Sequence, residues 1–126
     1  MAKVLNVGQC GFDHAAISSL LRDMGVTVER ATSHKKAQSA LSKENYDLVL
    51  VNRVNDRDGS SGIEFIKTIK QCEQMEACKM MLVSNYADAQ EQAVSEGALM
   101  GFGKNNLRTS ETLELLRAAI FPVEAA

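Results

Sequence analysis

Residues 47–59 read DLVLVNRVNDRDG, a short apolar run followed by a polar loop. Its four consecutive apolar residues, 48–51, predict a fully buried strand, because the run is too short for a helix and leads into turn-forming residues. The chain leaves this strand at Asn52 and enters a loop that contains Asp56, Asp58 and Gly59. A strand without polar residues needs cover on both faces, so the stretch indicates a parallel sheet between two layers of helices.

Short apolar runs alternate with helical patterns on both sides of this stretch. Strands are predicted at residues 3–7, 26–31, 48–51, 80–84 and 100–102, with helices between and after them. The expected N-caps are Asp13, Ser33 and either Thr109 or Ser110, and the expected helix-ending glycines are Gly25 and Gly97. Five strands alternating with five helices predict an α/β domain with a parallel sheet.

The composition indicates a single globular domain over residues 1–126. Hydrophobic residues make up 45% and charged residues 24% of the chain, and no apolar run reaches membrane-spanning length. The first residues do not form a secretory signal, so we expect a cytoplasmic protein without membrane contact. A net charge of −2 disfavours nucleic acid as a partner, and three irregularly spaced cysteines disfavour disulfides and a zinc site.

The predicted strand ends locate the candidate site. In open parallel sheets, ligands bind at the carboxyl ends of the strands, near the point where the strand order reverses. Those ends correspond to residues 8–11, 52–59, 84–88 and 103–106. Asn52 is the critical position, because a carboxylate there would be a nucleophile or a metal ligand and an amide is neither.

The chain resembles a response-regulator receiver domain of two-component signalling over essentially its whole length. The resemblance is carried by KVLNVGQCGFDHAAISSLLRDMGVTV (3–28), YDLVLVNRVNDRDGSSGIEFIKTIK (46–70), KMMLVSNYADAQEQAVSEGA (79–98) and GFGKNNLRTSETLELLRAAI (101–120). It implies a flavodoxin-like, three-layer αβα fold with strand order 2-1-3-4-5. Receivers accept a phosphoryl group from a histidine kinase on an aspartate that ends the third strand. They also need Mg²⁺, held partly by an acidic pair after the first strand.

Residue by residue, some functional positions match the receiver pattern and others do not. The hydroxyl residue and the lysine that contact the phosphoryl oxygens in receivers correspond to Ser84 and Lys104. The acidic pair falls on Gly8 and Gln9, and the phosphoacceptor falls on Asn52. All three acids are therefore replaced by neutral residues, which predicts a degenerate pseudo-receiver that has lost Mg²⁺ binding and the usual phosphorylation.

Other departures from the family pattern surround these positions. The aromatic switch position falls on Gly101, and the alternation of the strand is expected to turn Phe102 to the opposite face. The loop from 52 to 62 is about two residues longer than the usual receiver spacing, and Asn105 replaces a common proline. Met80, Met81 and Met100 are interpreted as core residues.

The resemblance implies a signalling module that is not an enzyme, has no cofactor and acts through protein contacts. The expected contact face is formed by the fourth helix, fifth strand and fifth helix, at residues 89–96, 101–102 and 108–117. Its partner would be a histidine kinase, a downstream signalling protein or a second copy of the chain.

Two alternatives stay open on the sequence. A working phosphorelay receiver could use Asp56 or Asp58 as a substitute acceptor, although the run DRDG is typical of a turn. A small redox or anion-binding protein could use Cys10 or Lys104, although Cys10 is more simply read as a small buried apolar residue. Asp13 or Asp56 could instead pair with Lys104. His14 and His34 have no partner motif and receive no catalytic role.

Overall fold

A computed structural model describes residues 1–122 of the chain. The strands are β1 (Lys3–Val7), β2 (Thr27–Ala31), β3 (Leu48–Asn52), β4 (Met80–Val83) and β5 (Leu99–Phe102). The helices are α1 (Gly11–Asp23), α2 (His34–Lys43), α3 (Gly62–Lys70), α4 (Ala87–Ser95) and α5 (Ser110–Ile120), with a 3₁₀ turn at Lys104–Asn106. The predicted α/β alternation is confirmed. The single-domain prediction runs to residue 126, and its last four residues lie outside the described residues.

The five strands form one parallel sheet in the order β2-β1-β3-β4-β5, as predicted. Strand β3 lies at the centre, where Val51 is in register with Val7 of β1 and Asn52 with Val83 of β4. The strand order reverses between β1 and β3, so the carboxyl ends of these two strands border the crevice that the fold offers to ligands.

Apolar side chains of the sheet fill two layers, one on each face. Val49 and Val51 of β3 pack toward α2, α3 and α4, whereas Leu48 and Leu50 pack toward α1 and α5. All four side chains are fully buried, which is the environment predicted from their uninterrupted apolar run. The sheet edge that carries the candidate site is thus fixed by a core on both faces.

Most helix ends are where the sequence predicts them. Ser33 and Thr109 cap α2 and α5 through their hydroxyl oxygens, and Gly25 follows α1 with a φ of +80°. The prediction of Asp13 as the cap of α1 is wrong. Cys10 is the N-cap, because the helix starts at Gly11 and the Cys10 Sγ accepts a hydrogen bond from the Asp13 N–H at 3.4 Å.

Strand β5 is irregular, and this corrects one core prediction. Its pairing with β4 shifts register between Leu99 and Phe102, so that one extra residue is accommodated as a bulge. Phe102 is buried in the layer under α1 and α5, as expected. Met80 and Met81 are buried as predicted, but Met100 is 47% exposed, because the irregular edge strand leaves it on the surface.

None of the helices in residues 1–122 has the length and apolarity to cross a membrane.

Candidate functional site

A cavity of about 390 Å³ lies at the carboxyl ends of β3 and β4. Asn52, Asp56, Ser84 and Lys104 all line it, so the structure brings together four of the residues predicted from the sequence. The remaining predicted positions do not line this cavity. Gly8 and Gln9 are buried after β1, Asp58 lies in the loop after β3, and Gly101 lies within β5.

The amide of Asn52 is used to join β3 to the end of β1. Its Nδ2 donates a hydrogen bond of 3.0 Å to the carbonyl oxygen of Gly8, and the backbone N–H of Asp56 donates to the same oxygen at 2.9 Å. Gly8 in turn donates its N–H to Ala31 O at 2.9 Å. Asn52 therefore serves as a donor to the backbone, a role that an aspartate carboxylate could not fill.

The loop between β3 and α3 folds back on itself. Val54 and Ser61 form an antiparallel bridge, and the N–H of Asn55 donates to Ser60 O at 2.8 Å. The Asn55 side chain is fully buried and donates through Nδ2 to Thr32 O at 3.2 Å and to Asp58 Oδ1 at 3.0 Å. Residues 53–61 thus hold Asn55 rigidly at the end of β1.

Asn55 fills the space beside Gly8. A Cβ atom added to Gly8 would lie 2.5 Å from Asn55 Oδ1 and 3.3 Å from Asn55 Cα, and the φ of Gly8 is +78°. Both the backbone conformation and the neighbour exclude an acidic side chain at this position. Sequence reasoning did not identify Asn55, and the only signal for it was the extra length of the loop.

Gln9, the second position of the lost acidic pair, is 2% exposed, and neither its Oε1 nor its Nε2 has a hydrogen-bond partner among the described residues. Its carbonyl oxygen accepts a bond of 3.2 Å from Arg30 Nη2. A neutral amide can be buried without a partner at a far lower cost than a carboxylate. The environment of Gln9 therefore suits an amide.

These residues do not fit the Mg²⁺ ion that the family resemblance implies. Mg²⁺ is usually held through one or two carboxylates, but Gly8, Gln9 and Asn52 supply none and Asn55 is seated where one would stand. Within residues 1–122 no group of three or more His, Cys, Asp or Glu side chains is arranged to hold a metal ion.

Lys104 is paired with a residue from α1. Its Nζ lies 2.7 Å from Asp13 Oδ2, and the two side chains are 31% and 25% exposed. Cys10 Sγ donates to the same oxygen at 3.3 Å. Burial raises the pKa of Asp13, but the hydrogen bonds from Lys104 and Cys10 outweigh it and hold that pKa below its usual value. The pair leaves Lys104 without the free charge that the anion-binding alternative needs.

Ser84 and Asn85 serve the backbone at the end of β4. Ser84 is buried, and its Oγ accepts a hydrogen bond from the N–H of Tyr86 at 3.1 Å, ahead of α4. Asn85 Oδ1 accepts from the N–H of Asn105 at 3.1 Å. Because a proline at 105 would lack this N–H, the departure at Asn105 fits the local contact.

The predicted switch position, Gly101, holds no side chain, because a Cβ there would collide with the carbonyl oxygen of Leu82. The side chain of Gln90 in α4 makes the hydrogen bonds that join α4 to β4 and β5 at this position. Its Oε1 accepts from Gly101 N–H at 3.0 Å, and its Nε2 donates to Leu82 O at 2.9 Å and to Ser84 O at 3.2 Å. Gln90 is 7% exposed and was not identified from the sequence, because a single glutamine in a helix gives no distinguishing pattern.

No protein-family model and no curated protein matches this chain, whereas solved structures do. A Chloroflexus aurantiacus J-10-fl protein described as a response regulator is 17% identical with a TM-score of 0.83, covering 94% of this chain and 97% of its own. A response regulator from Thermotoga maritima is 24% identical with a TM-score of 0.78, covering 95% and 98%. The Vibrio cholerae chemotaxis protein CheY4 is 23% identical with a TM-score of 0.74, covering 96% and 99%. The chain has the receiver fold.

Two acids of this receiver fold were predicted as substitutes for the missing acceptor, and they occupy different environments. Asp56 is exposed and lines the cavity with Ser84 and Lys104. Asp58 Oδ1 accepts from Ser60 Oγ at 2.7 Å and from Ser60 N at 3.0 Å, and these hydrogen bonds lower the pKa of Asp58. Asp58 therefore has the turn role that the DRDG run indicates.

Cys10 and the two histidines have local structural contacts. The expectation that Cys10 is buried is wrong, because a helix N-cap lies at the edge of the core and Cys10 is partly exposed there. His14 lies in α1 with its Nδ1 3.1 Å from Asn6 Nδ2, and His34 stacks on Phe65 with ring centroids 4.6 Å apart. Neither histidine lines the strand-end cavity.

Proposed function

We propose that this chain is a receiver-like signalling module that is not phosphorylated in the usual way and acts through contacts with other proteins. The observation that carries the proposal is the filled end of β1, where Asn55 lies against Gly8 and Asn52 donates to the Gly8 carbonyl. The module has no enzymatic activity in this proposal. A cytoplasmic location is part of it, supported by the three cysteines, which are all free thiols.

The chemistry at position 52 supports the loss of phosphoryl transfer. The nitrogen of the Asn52 amide is a poor nucleophile because its lone pair is delocalised into the carbonyl, and its N–H is already donated to Gly8. The charge of Lys104 is balanced by Asp13 at 2.7 Å. Arg53 and Asp56 also line the cavity and offset each other, so it has no excess positive charge to concentrate a phosphorylated donor.

Gln90 fixes α4 against the sheet within the proposed contact face of α4, β5 and α5. Its side chain joins α4 to the backbones of β4 and β5 through buried hydrogen bonds, and buried hydrogen bonds are costly to break. A face that is already fixed does not need phosphorylation to take up its binding shape. We propose a histidine kinase, a downstream signalling protein or a second copy of the chain as the partner.

Treatment with acetyl phosphate and Mg²⁺ tests the loss of phosphorylation. Intact-mass spectrometry under mild conditions should detect no added phosphoryl group on the wild-type chain, while a phosphorylatable receiver treated in parallel gains one. Amide resonances of Asn52 and Lys104 should also show no saturable shift on addition of Mg²⁺ alone. An adduct on this chain would remove the central part of the proposal.

A second candidate is a working receiver whose acceptor is Asp56, because Asp56 lines the same cavity as Ser84 and Lys104. A carboxylate oxygen of Asp56 would attack the phosphorus of acetyl phosphate, forming the acyl phosphate as acetate leaves. An adduct that is lost in Asp56→Asn and kept in the matched Asp58→Asn variant would establish this function. The reverse result would assign the acceptor to Asp58.

A further inference from the structure

A groove of about 500 Å³ lies between α4, β5 and α5, apart from the strand-end cavity. Its walls include Tyr86, Met100 and Leu115, and Gly101 and Phe102 contribute to its floor. Tyr86 is 58% exposed and Met100 47% exposed, although both have large apolar surfaces. The volume lies within the range of about 300–1,000 Å³ that is typical of ligand pockets.

The groove is acidic as well as apolar. Glu91 of α4 and Glu111 of α5 contribute carboxylates from two different helices, and no lysine or arginine lines the groove. The nearby cations of the described chain are engaged elsewhere: Lys104 pairs with Asp13, and Arg108 with Asp23. Arg53 lies over the Tyr86 ring at 4.9 Å and does not line the groove.

The groove is also preformed. Gln90 lies in it and links α4 to Gly101 N–H of β5 and Leu82 O of β4, so the α4 side of the groove is joined to the sheet through buried hydrogen bonds. The backbone of β5 approaches β4 closely at Gly101, which leaves no side chain there to close the groove. A partner that enters does not have to order these elements, and this lowers the cost of binding.

We propose that this groove binds a segment of a protein partner that carries one large apolar or aromatic side chain flanked by lysine or arginine residues. The inference rests on the proposed function and names the chemical class of the partner. The apolar walls suit a buried anchor side chain, which commonly dominates the energy of an interface. Carboxylates on both helices select basic flanks by charge complementarity and repel acidic segments.

Selection from a display library of random linear peptides, with the wild-type chain as the target, tests the proposal. Enriched peptides should combine a large apolar residue with an excess of Lys and Arg. Labelled synthetic copies should bind the Glu91→Lys/Glu111→Lys variant roughly tenfold more weakly, because both attractions become repulsions. Met100→Asp should also weaken binding, because it removes an apolar wall of the groove.

The matched control is Glu73→Lys/Glu76→Lys, which makes the same charge change at two exposed residues between α3 and β4. It should leave the affinity within about twofold of wild type, since these charges are remote from the groove. Circular dichroism spectra should show that each variant is folded.

Four outcomes would overturn the inference: no enrichment, enrichment without basic residues, equal binding to the groove variant, or a wild-type dimer that buries Met100. The last would assign the groove to a second copy of the chain. None of these four results involves phosphorylation. The acetyl phosphate experiment judges the proposed function separately, so the two failures can be told apart.

Discussion

The strand-end edge has two halves that differ from the receiver pattern in different ways. In the half formed by β1 and β3, neutral residues replace all the expected acids, and the longer loop places Asn55 against Gly8. In the half formed by β4 and β5, Ser84 and Lys104 remain, but each is held by a partner within the chain. A retained residue type can thus take a new role where its usual neighbours are replaced.

The two halves are linked by charge. A lysine in a part-buried site is stabilised by a nearby carboxylate, and here Asp13 provides one from the first turn of α1. Asp13 and Lys104 are 91 positions apart in the chain, so the pair also ties α1 to the segment after β5. The acids expected at the ends of β1 and β3 are replaced, and an acid in the first turn of α1 pairs with the lysine of the second half.

The largest expected effect concerns the filled half. Gly8→Ala should destabilise the fold by about 3 kcal/mol, because a left-handed φ penalises any side chain and the new Cβ meets Asn55 Oδ1 at 2.5 Å. Chemical denaturation would measure this as a decrease in the free energy of unfolding.

Gly25→Ala is the matched control for Gly8→Ala, because Gly25 has a φ of +80° and a Cβ there would meet nothing within 4 Å. It should cost only about 1–2 kcal/mol, the penalty of the backbone conformation alone. Combining Asn55→Ala with Gly8→Ala should cost less than the sum of the two single changes, because the contact between the new Cβ and Asn55 Oδ1 is then absent. Equal losses in the free energy of unfolding for the two glycine variants would show that Asn55 does not fill the space beside Gly8.

The second effect concerns Gln90 in the other half. Gln90→Ala should cost about 2 kcal/mol, because it leaves the buried N–H of Gly101 without its acceptor and removes donors from two carbonyls. The matched Gln92→Ala change on the exposed side of α4 should stay within about 0.5 kcal/mol. Hydrogen exchange at Gly101 should become faster only in Gln90→Ala. Unchanged exchange there would show that Gln90 does not hold the Gly101 N–H in solution.

The fold followed from the sequence because the strongest signals are local. The apolar run of β3 and the capping residues Ser33 and Thr109 act through neighbours a few positions away, and the structure confirms them. The exceptions were also local. At the start of α1 a thiol caps the helix in place of Asp13, and the irregular edge strand exposes Met100.

The candidate site was only partly predictable. The topology brings Asn52, Ser84 and Lys104 to one cavity, because strand ends in a parallel sheet share an edge. The sequence allows either Asp13 or Asp56 to pair with Lys104, and only the geometry selects Asp13. The roles of Asn55 and Gln90 depend on how a loop closes and which backbone groups are left unpaired, and neither property appears in a linear pattern.

The smallest expected effect tests the pair of Asp13 and Lys104. The folded-state pKa of Asp13 is lowered, so the pair's stabilisation is present above the unfolded pKa of about 3.9 and is lost as pH falls through the folded value. Between neutral pH and about pH 3, wild type should lose about 1 kcal/mol more of its free energy of unfolding than Asp13→Asn, since the side chains are partly exposed and solvent weakens the pair.

Asp23→Asn is the matched control, because its carboxylate lies 3.4 Å from Arg108 and is 64% exposed. That variant should follow the wild-type profile closely. Lys104→Met should remove the same acid-sensitive contribution, and combining it with Asp13→Asn should cost less than the sum of the two single changes. If the Asp13→Asn profile runs parallel to wild type down to the lowest pH, Lys104 is free in solution, and only Ser84 of the β4–β5 half is held by a partner within the chain.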